Sequence, residues 1–66
     1  MCQTSALMEK DGNQELILEN ITNLEVLSGG LEITTLFEGT KAWPGVAIRR
    51  IDFSAGKVYL YQMPSP

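Results

Sequence analysis

The residues able to do chemistry are crowded into the opening Met1-Cys2-Gln3-Thr4, because Cys2 is the only cysteine and the chain contains no histidine. A small residue after the initiator methionine favours removal of Met1, which would make Cys2 the first residue of the mature chain. Its α-amine ionises at about 7.7 to 8.0 and its thiol at about 8.5, so both can lose protons near neutrality. Amine and thiolate of one residue close a five-membered N,S chelate, and the deprotonated amide of Gln3 can lie in the same plane. Such a flat N/S set suits square-planar Ni(II) or Cu(II) better than tetrahedral zinc. One chelate fills half of a four-coordinate shell. A second subunit contributing its own Cys2 would complete it, so the metal reading carries with it a symmetric homodimer. The competing reading is plain packing: a lone cysteine is also a small hydrophobe that sits well in a strand.

The frame that must position this residue is small. At 66 residues the chain is expected to be one domain over 1-66, and a domain of this size buries only about 60% of the surface its unfolded chain exposes. A single cysteine excludes an intrachain disulfide, which leaves metal or self-association as the usual supplements to a small core. The start shows no basic stretch followed by an apolar run, and no apolar run is long enough to span a bilayer. No membrane association and a cytoplasmic location are therefore expected, and Asn20-Ile21-Thr22 reads as an accidental match to the glycosylation pattern.

Eight acidic against five basic residues give a formal charge of −3, which disfavours a protein whose main work is holding phosphate backbones. Catalysis is disfavoured too. With no histidine the commonest general base is missing, and no nucleophile triad, phosphate loop or paired-acid arrangement is present.

No stretch shows apolar residues at helical spacing, whereas short alternating runs separated by turn signals recur throughout. The pattern predicts an all-β fold, a small single-domain β-barrel of six or seven short antiparallel strands. Strands are expected over 2-9, 15-19, 22-27, 31-37, 40-43, 46-53 and 57-61. Asp11-Gly12 and Ser28-Gly29-Gly30 supply hairpin turns, and Pro44-Gly45 an edge or corner. A bulge at Thr34-Thr35 would aim Leu36 and Phe37 into the core, and one at Arg49-Arg50 would keep Val46, Ile48, Ile51 and Phe53 all facing inward. Leu24 and Val26 share a face. Val58 and Leu60 should point in, with Lys57, Tyr59 and Tyr61 pointing out. The tail 62-66 reads as frayed.

In this order, Met1-Cys2, the segment from Glu15 to Ile21, the segment from Leu31 to Gly39, and Val46-Ala47-Ile48-Arg49-Arg50-Ile51-Asp52-Phe53 together resemble the CooT family, small nickel-binding accessory proteins of carbon monoxide dehydrogenase maturation. The resemblance runs over nearly the whole chain, with Trp43-Pro44-Gly45-Val46 pointing to one branch, and Ala6-Leu7 departing from the Val-Tyr pair of many relatives. It implies a cytoplasmic homodimeric β-barrel that binds Ni(II) through Cys2 and serves carbon monoxide dehydrogenase or another nickel enzyme as client. Only Cys2 carries over as a site residue.

Two alternatives follow from other features. Arg49, Arg50, Lys41 and Lys57, interleaved with Trp43, Tyr59 and Tyr61, could form a basic and aromatic face for single-stranded RNA, a role that some CooT relatives have been labelled with; the acidic balance disfavours it. A third possibility is a chaperone similar to the HypC type, which also begins Met-Cys on a small barrel and uses the cysteine to contact a client protein without a metal of its own.

Overall fold

The computed structural model describes residues 3–63, and Cys2 lies outside them. Seven strands follow one another with no helix among the described residues: β1 (Ser5–Lys10), β2 (Asn13–Leu18), β3 (Ile21–Leu27), β4 (Gly30–Thr35), β5 (Gly39–Pro44), β6 (Val46–Asp52) and β7 (Lys57–Gln62). They form a four-stranded sheet in the order β2-β1-β7-β6 and a three-stranded sheet in the order β3-β4-β5.

The turns obey their local chemistry. Asp11 and Gly12 both take positive φ, 54° and 81°, the conformation a two-residue hairpin loop with the correct twist requires. At the β6–β7 turn, Asp52 Oδ1 accepts from the Ser54 hydroxyl at 2.7 Å and from the Ala55 amide at 3.1 Å, the Asx pattern that substitutes a side chain for a backbone turn bond.

Two bends make one barrel of the two sheets. The chain crosses from β2 to β3 at Asn20 (φ 59°) and from β5 to β6 at Gly45 (φ 73°), positions where a left-handed backbone turns the strand sharply. Main-chain bonds continue through both. The Ile21 amide donates to Thr4 O and the Leu36 amide to Asn20 O, while the Gly45 amide donates to Gly29 O and the Met63 amide to Gly45 O. The β2–β3 and β5–β6 pairs are thus two bent strands, each shared between the sheets, and the seven strands reduce to five runs.

Each run is antiparallel to the one before it. Five is odd, so the first and last must point the same way where they meet. β1 and β7 accordingly pair in parallel, from Ser5 beside Lys57 to Glu9 beside Tyr61, which corrects the expectation of antiparallel strands throughout. The ring is left open at two seams, one between β2 and β5 and the other between β3 and β6.

The core is compact: Ala6, Leu18, Leu31, Ile33, Val46, Val58 and Leu60, with Met8, Ile17, Ile21, Leu24, Trp43 and Ile48 packed around it. Several apolar residues expected inside are not. β4 ends at Thr35 with its register against β5 unbroken; the irregularity at this level lies on β3, between Ile21 and Asn23 opposite Thr35 and Thr34, and Leu36 and Phe37 project from the turn, Phe37 80% exposed. The register does shift between Ile48 and Arg50, yet Ile51 and Phe53 stay outside, Phe53 85% exposed. Val26, on an edge strand, is 69% exposed. Tyr59 is corrected in the other direction, being only 7% exposed, because the Arg50 guanidinium carbon stands 3.9 Å from its ring centroid and roofs it. In the tail, Gln62 belongs to β7 and Met63 is bonded to Gly45, so these two residues are paired; residues 64–66 lie outside the described residues.

Candidate functional site

Parallel pairing of β1 with β7 decides where the amino end emerges. Strand β1 starts beside the start of β7, so Thr4 and Gln3 run along the β6–β7 turn. The Ser5 amide donates to Gly56 O at 2.8 Å and Thr4 O accepts from the Ile21 amide at 2.9 Å. Thr4 is thereby tied to both the turn and the first bend. Gly56, at φ 67°, fits because it has no side chain: a Cβ there would stand 2.5 Å from Gln3 O. Backbone bonds of Thr4 and Ser5 thus fix the start of β1 at one end of the barrel, with Gln3 lying against Gly56.

Thr4 also lines a groove. The open seam between β3 and β6 is walled by Leu24, Val26, Ile48, Ile51 and Phe53, with Gly56, Asp52 and Lys57 at the same end as Thr4. Through Val26 and Ile48 it continues toward Leu27 and Met63 at the other end. The Ser54 hydroxyl, with the Ala55 amide, holds the Asp52 carboxyl below its ordinary range, so this end of the groove carries an anion.

The second seam, between β2 and β5, is lined by Leu16, Ile17, Phe37, Lys41 and Trp43. The Trp43 indole nitrogen has no hydrogen-bond partner among the described residues, but it is shut off from the surface. It therefore offers nothing to a ligand in the groove.

Among the described residues no three His, Cys, Asp or Glu side chains converge as a metal cluster. Cys2, the one predicted site residue, lies outside the described residues. The basic and aromatic set is assembled only in part, with Arg50 against Tyr59 and Arg49 beside Tyr61 in one recess. Arg49 Nε sits 2.8 Å from Glu9 Oε1 and Lys41 Nζ 3.5 Å from Glu38 Oε1, Arg50 is stacked on Tyr59, and Trp43 packs against the core. What residue types alone missed is the apolar seam beside Thr4, whose signal was there in Ile51 and Phe53: apolar residues in excess of what so small a core can hold.

The fold has a solved counterpart. A candidate CooT from Carboxydothermus hydrogenoformans superposes with a TM-score of 0.82 at 24% identity, the alignment covering 96% of this chain and 100% of that one; at that identity the likeness speaks for the fold. No curated protein sequence matches the chain. A family model described as CO dehydrogenase accessory protein CooT matches residues 1–61, which takes in Cys2, both bends and all but the last residue of β7. With an ordered match over nearly its full length, the chain belongs to the CooT family of CO dehydrogenase accessory proteins.

Proposed function

We propose that this CooT-family chain is a non-enzymatic, cytoplasmic nickel carrier for carbon monoxide dehydrogenase, holding Ni(II) as cargo on Cys2 of two copies. The observation that carries the reading is the family match beginning at residue 1, joined to the absence of any metal-ligand cluster among the described residues. In this reading the barrel supplies no ligand of its own. It ties Thr4 and Ser5 by backbone bonds to the first bend and the β6–β7 turn, with Gln3 lying against Gly56, and this is the end of the barrel from which Cys2 would act.

Thiolate sulfur and amine nitrogen match the preference of Ni(II) for a planar N/S set. A site made from two chain ends has few surrounding groups to trap the ion, which suits a protein that must release its metal to a client. Each ligand gives up a proton on binding.

The test is a Ni(II) titration of the reduced protein followed by ultraviolet-visible absorption, with Cys2→Ser in parallel. Thiolate-to-nickel charge-transfer bands that saturate at one metal per two chains, and are lost in the variant, are expected. Bands of equal strength in Cys2→Ser would remove the proposed ligand, and no bands in either protein would favour a chaperone that contacts its client without metal.

A further inference from the structure

We propose that the β2/β5 seam docks an extended segment of another protein, one that alternates apolar side chains with lysine or arginine and pairs along the free edge of β2. The proposal is independent of Cys2 and of the nickel reading.

The first ground is an unused strand edge. β2 and β5 are each the last strand of their sheet, and both are exposed over most of their length. A free edge offers main-chain donors and acceptors to an incoming strand, while pockets beside it take that strand's alternate side chains. The two edges are not equally open. β5 carries Lys41 and closes on Pro44, a charge and a proline of the kind that blunt an edge against pairing. β2 has neither between Leu16 and Leu18, and the recess of the seam follows it from Leu16 to Asn20.

The second ground is what lies beside that edge. Leu16 is 50% exposed and Phe37 80%, and with Trp43 they line the same recess. An apolar side chain of an incoming strand would be covered there.

Charge then selects the segment. The one base of the recess, Lys41, is held by Glu38 at 3.5 Å. Glu19 lines the recess too, and Glu15 stands on the same edge strand. Among the described residues neither is in an ion pair; those formed are Lys41 with Glu38 and Arg49 with Glu9. The unanswered charge is therefore negative, which draws cationic side chains and repels both phosphate and the acidic edge of a second copy. At the β3/β6 seam Asp52 and Lys57 stand together, and that balance selects no sign. An accessory protein of CO dehydrogenase has to touch other proteins, and the recess ends at Asn20, next to the Ile21 amide that bonds Thr4 O. A docked segment would thus approach the start of β1.

Amide NMR of the isotope-labelled full chain, titrated with a blocked peptide alternating valine and lysine, tests this. Shifts confined to β2, the turn at Phe37 and Trp43 are expected. Leu16→Lys and Glu19→Lys should each weaken binding roughly tenfold, whereas Glu25→Lys, an equal change of charge on exposed β3, should alter it by less than about twofold. One control leaves the protein untouched. The same peptide N-methylated throughout keeps its charges and side chains but cannot donate to β2, and should not bind. Binding that survives N-methylation removes strand pairing, and equal binding of a valine and glutamate peptide removes charge selection; either overturns the proposal, as does an absence of shifts at millimolar peptide. Concentration-dependent shifts of the same amides without peptide would give the seam to a second copy, and tighter binding of an oligouridylate there would give it to a nucleic acid. Both overturn it. None of these results bears on the nickel titration, so the two readings fail separately.

Discussion

The carbonyl oxygen of Gln3 stands 2.5 Å from where a Cβ on Gly56 would be. The β6–β7 turn and the amino end thus share a space that only a glycine leaves open. Gly39 is a natural control, since it has a similar φ of 76° but nothing within 4 Å of its would-be side chain. Gly39→Ala is expected to cost about 1 kcal/mol from backbone conformation alone and to leave nickel uptake unchanged. Gly56→Ala adds the collision with Gln3, should cost roughly 3 kcal/mol, and should weaken nickel binding by displacing the chain end. Urea unfolding followed by the fluorescence of Trp43, the single tryptophan, together with nickel titrations, separates the two effects. Equal losses in both variants would show that the contact with Gln3 has no bearing on the site.

In Arg50 over Tyr59 one side chain completes the burial of another. Arg50→Ala should lose roughly 0.5 to 1 kcal/mol of cation–π attraction, together with the cover its aliphatic stem gives the ring. Arg50→Lys should keep part of both. Tyr59 absorbance and acrylamide accessibility report the uncovering, and an unchanged Tyr59 environment in Arg50→Ala would show that the roof is made by other residues.

Ile33 is fully buried in the middle of β4, the central strand of its sheet. Ile33→Val should cost about 0.5 to 1.5 kcal/mol and Ile33→Ala about 2 to 5 kcal/mol, the latter a large share of the stability available to so small a domain. Denaturation midpoints check the order. An Ile33→Ala protein as stable as the parent would mean that the barrel collapses to fill the gap.

Two pH dependences run in the same direction for different reasons. The Ser54 hydroxyl and the Ala55 amide lower the pKa of Asp52 in the folded chain. A group depressed on folding stabilises the protein above its unfolded pKa, and that contribution is lost as pH falls through the folded value. Asp52→Asn keeps an acceptor in the turn but cannot titrate there, so its stability profile should be flatter on the acid limb than that of the parent. Matching acid limbs would deny the carboxylate this role.

On the proposed nickel reading, uptake should respond at higher pH, because thiol and amine would each have to lose a proton. Affinity should rise through the range of about 7.7 to 8.5 where these groups ionise and be weak below about pH 6. Isothermal titration in buffers of different ionisation enthalpy counts the protons released. An affinity independent of pH would exclude the amine and thiol as ligands.

Much of the barrel was legible in the sequence because turn chemistry is local. Asp11-Gly12 and Pro44-Gly45 announce a hairpin and a corner regardless of what packs around them, and both are where they were expected. Alternation in Leu31 and Ile33, and in Val58 and Leu60, marks the inward face in the same way. The parallel β1–β7 pair was not legible, since it follows from the number of runs left after the bends at Asn20 and Gly45. Asn20 looked like an ordinary strand end. Hydrophobicity likewise could not tell Ile33, which the core takes, from Phe53, which it leaves out. Burial is decided by how few side chains a barrel this small can enclose. The candidate site divides similarly: Cys2 stands out by being unique, while the groove beside Thr4 exists only once β3 and β6 face each other.

Because β1 and β7 are parallel neighbours, β1 begins at one pole of the molecule and β7 ends at the other, a strand's length of roughly 17 to 20 Å away. An affinity tag, fluorophore or tether attached after the last strand is therefore expected to depart from the pole opposite Gln3. On the proposed nickel reading, the same addition placed ahead of Cys2 would replace the amine donor with an amide and crowd the proposed ligands. On that reading one end of the molecule is free for handling and the other must be left bare.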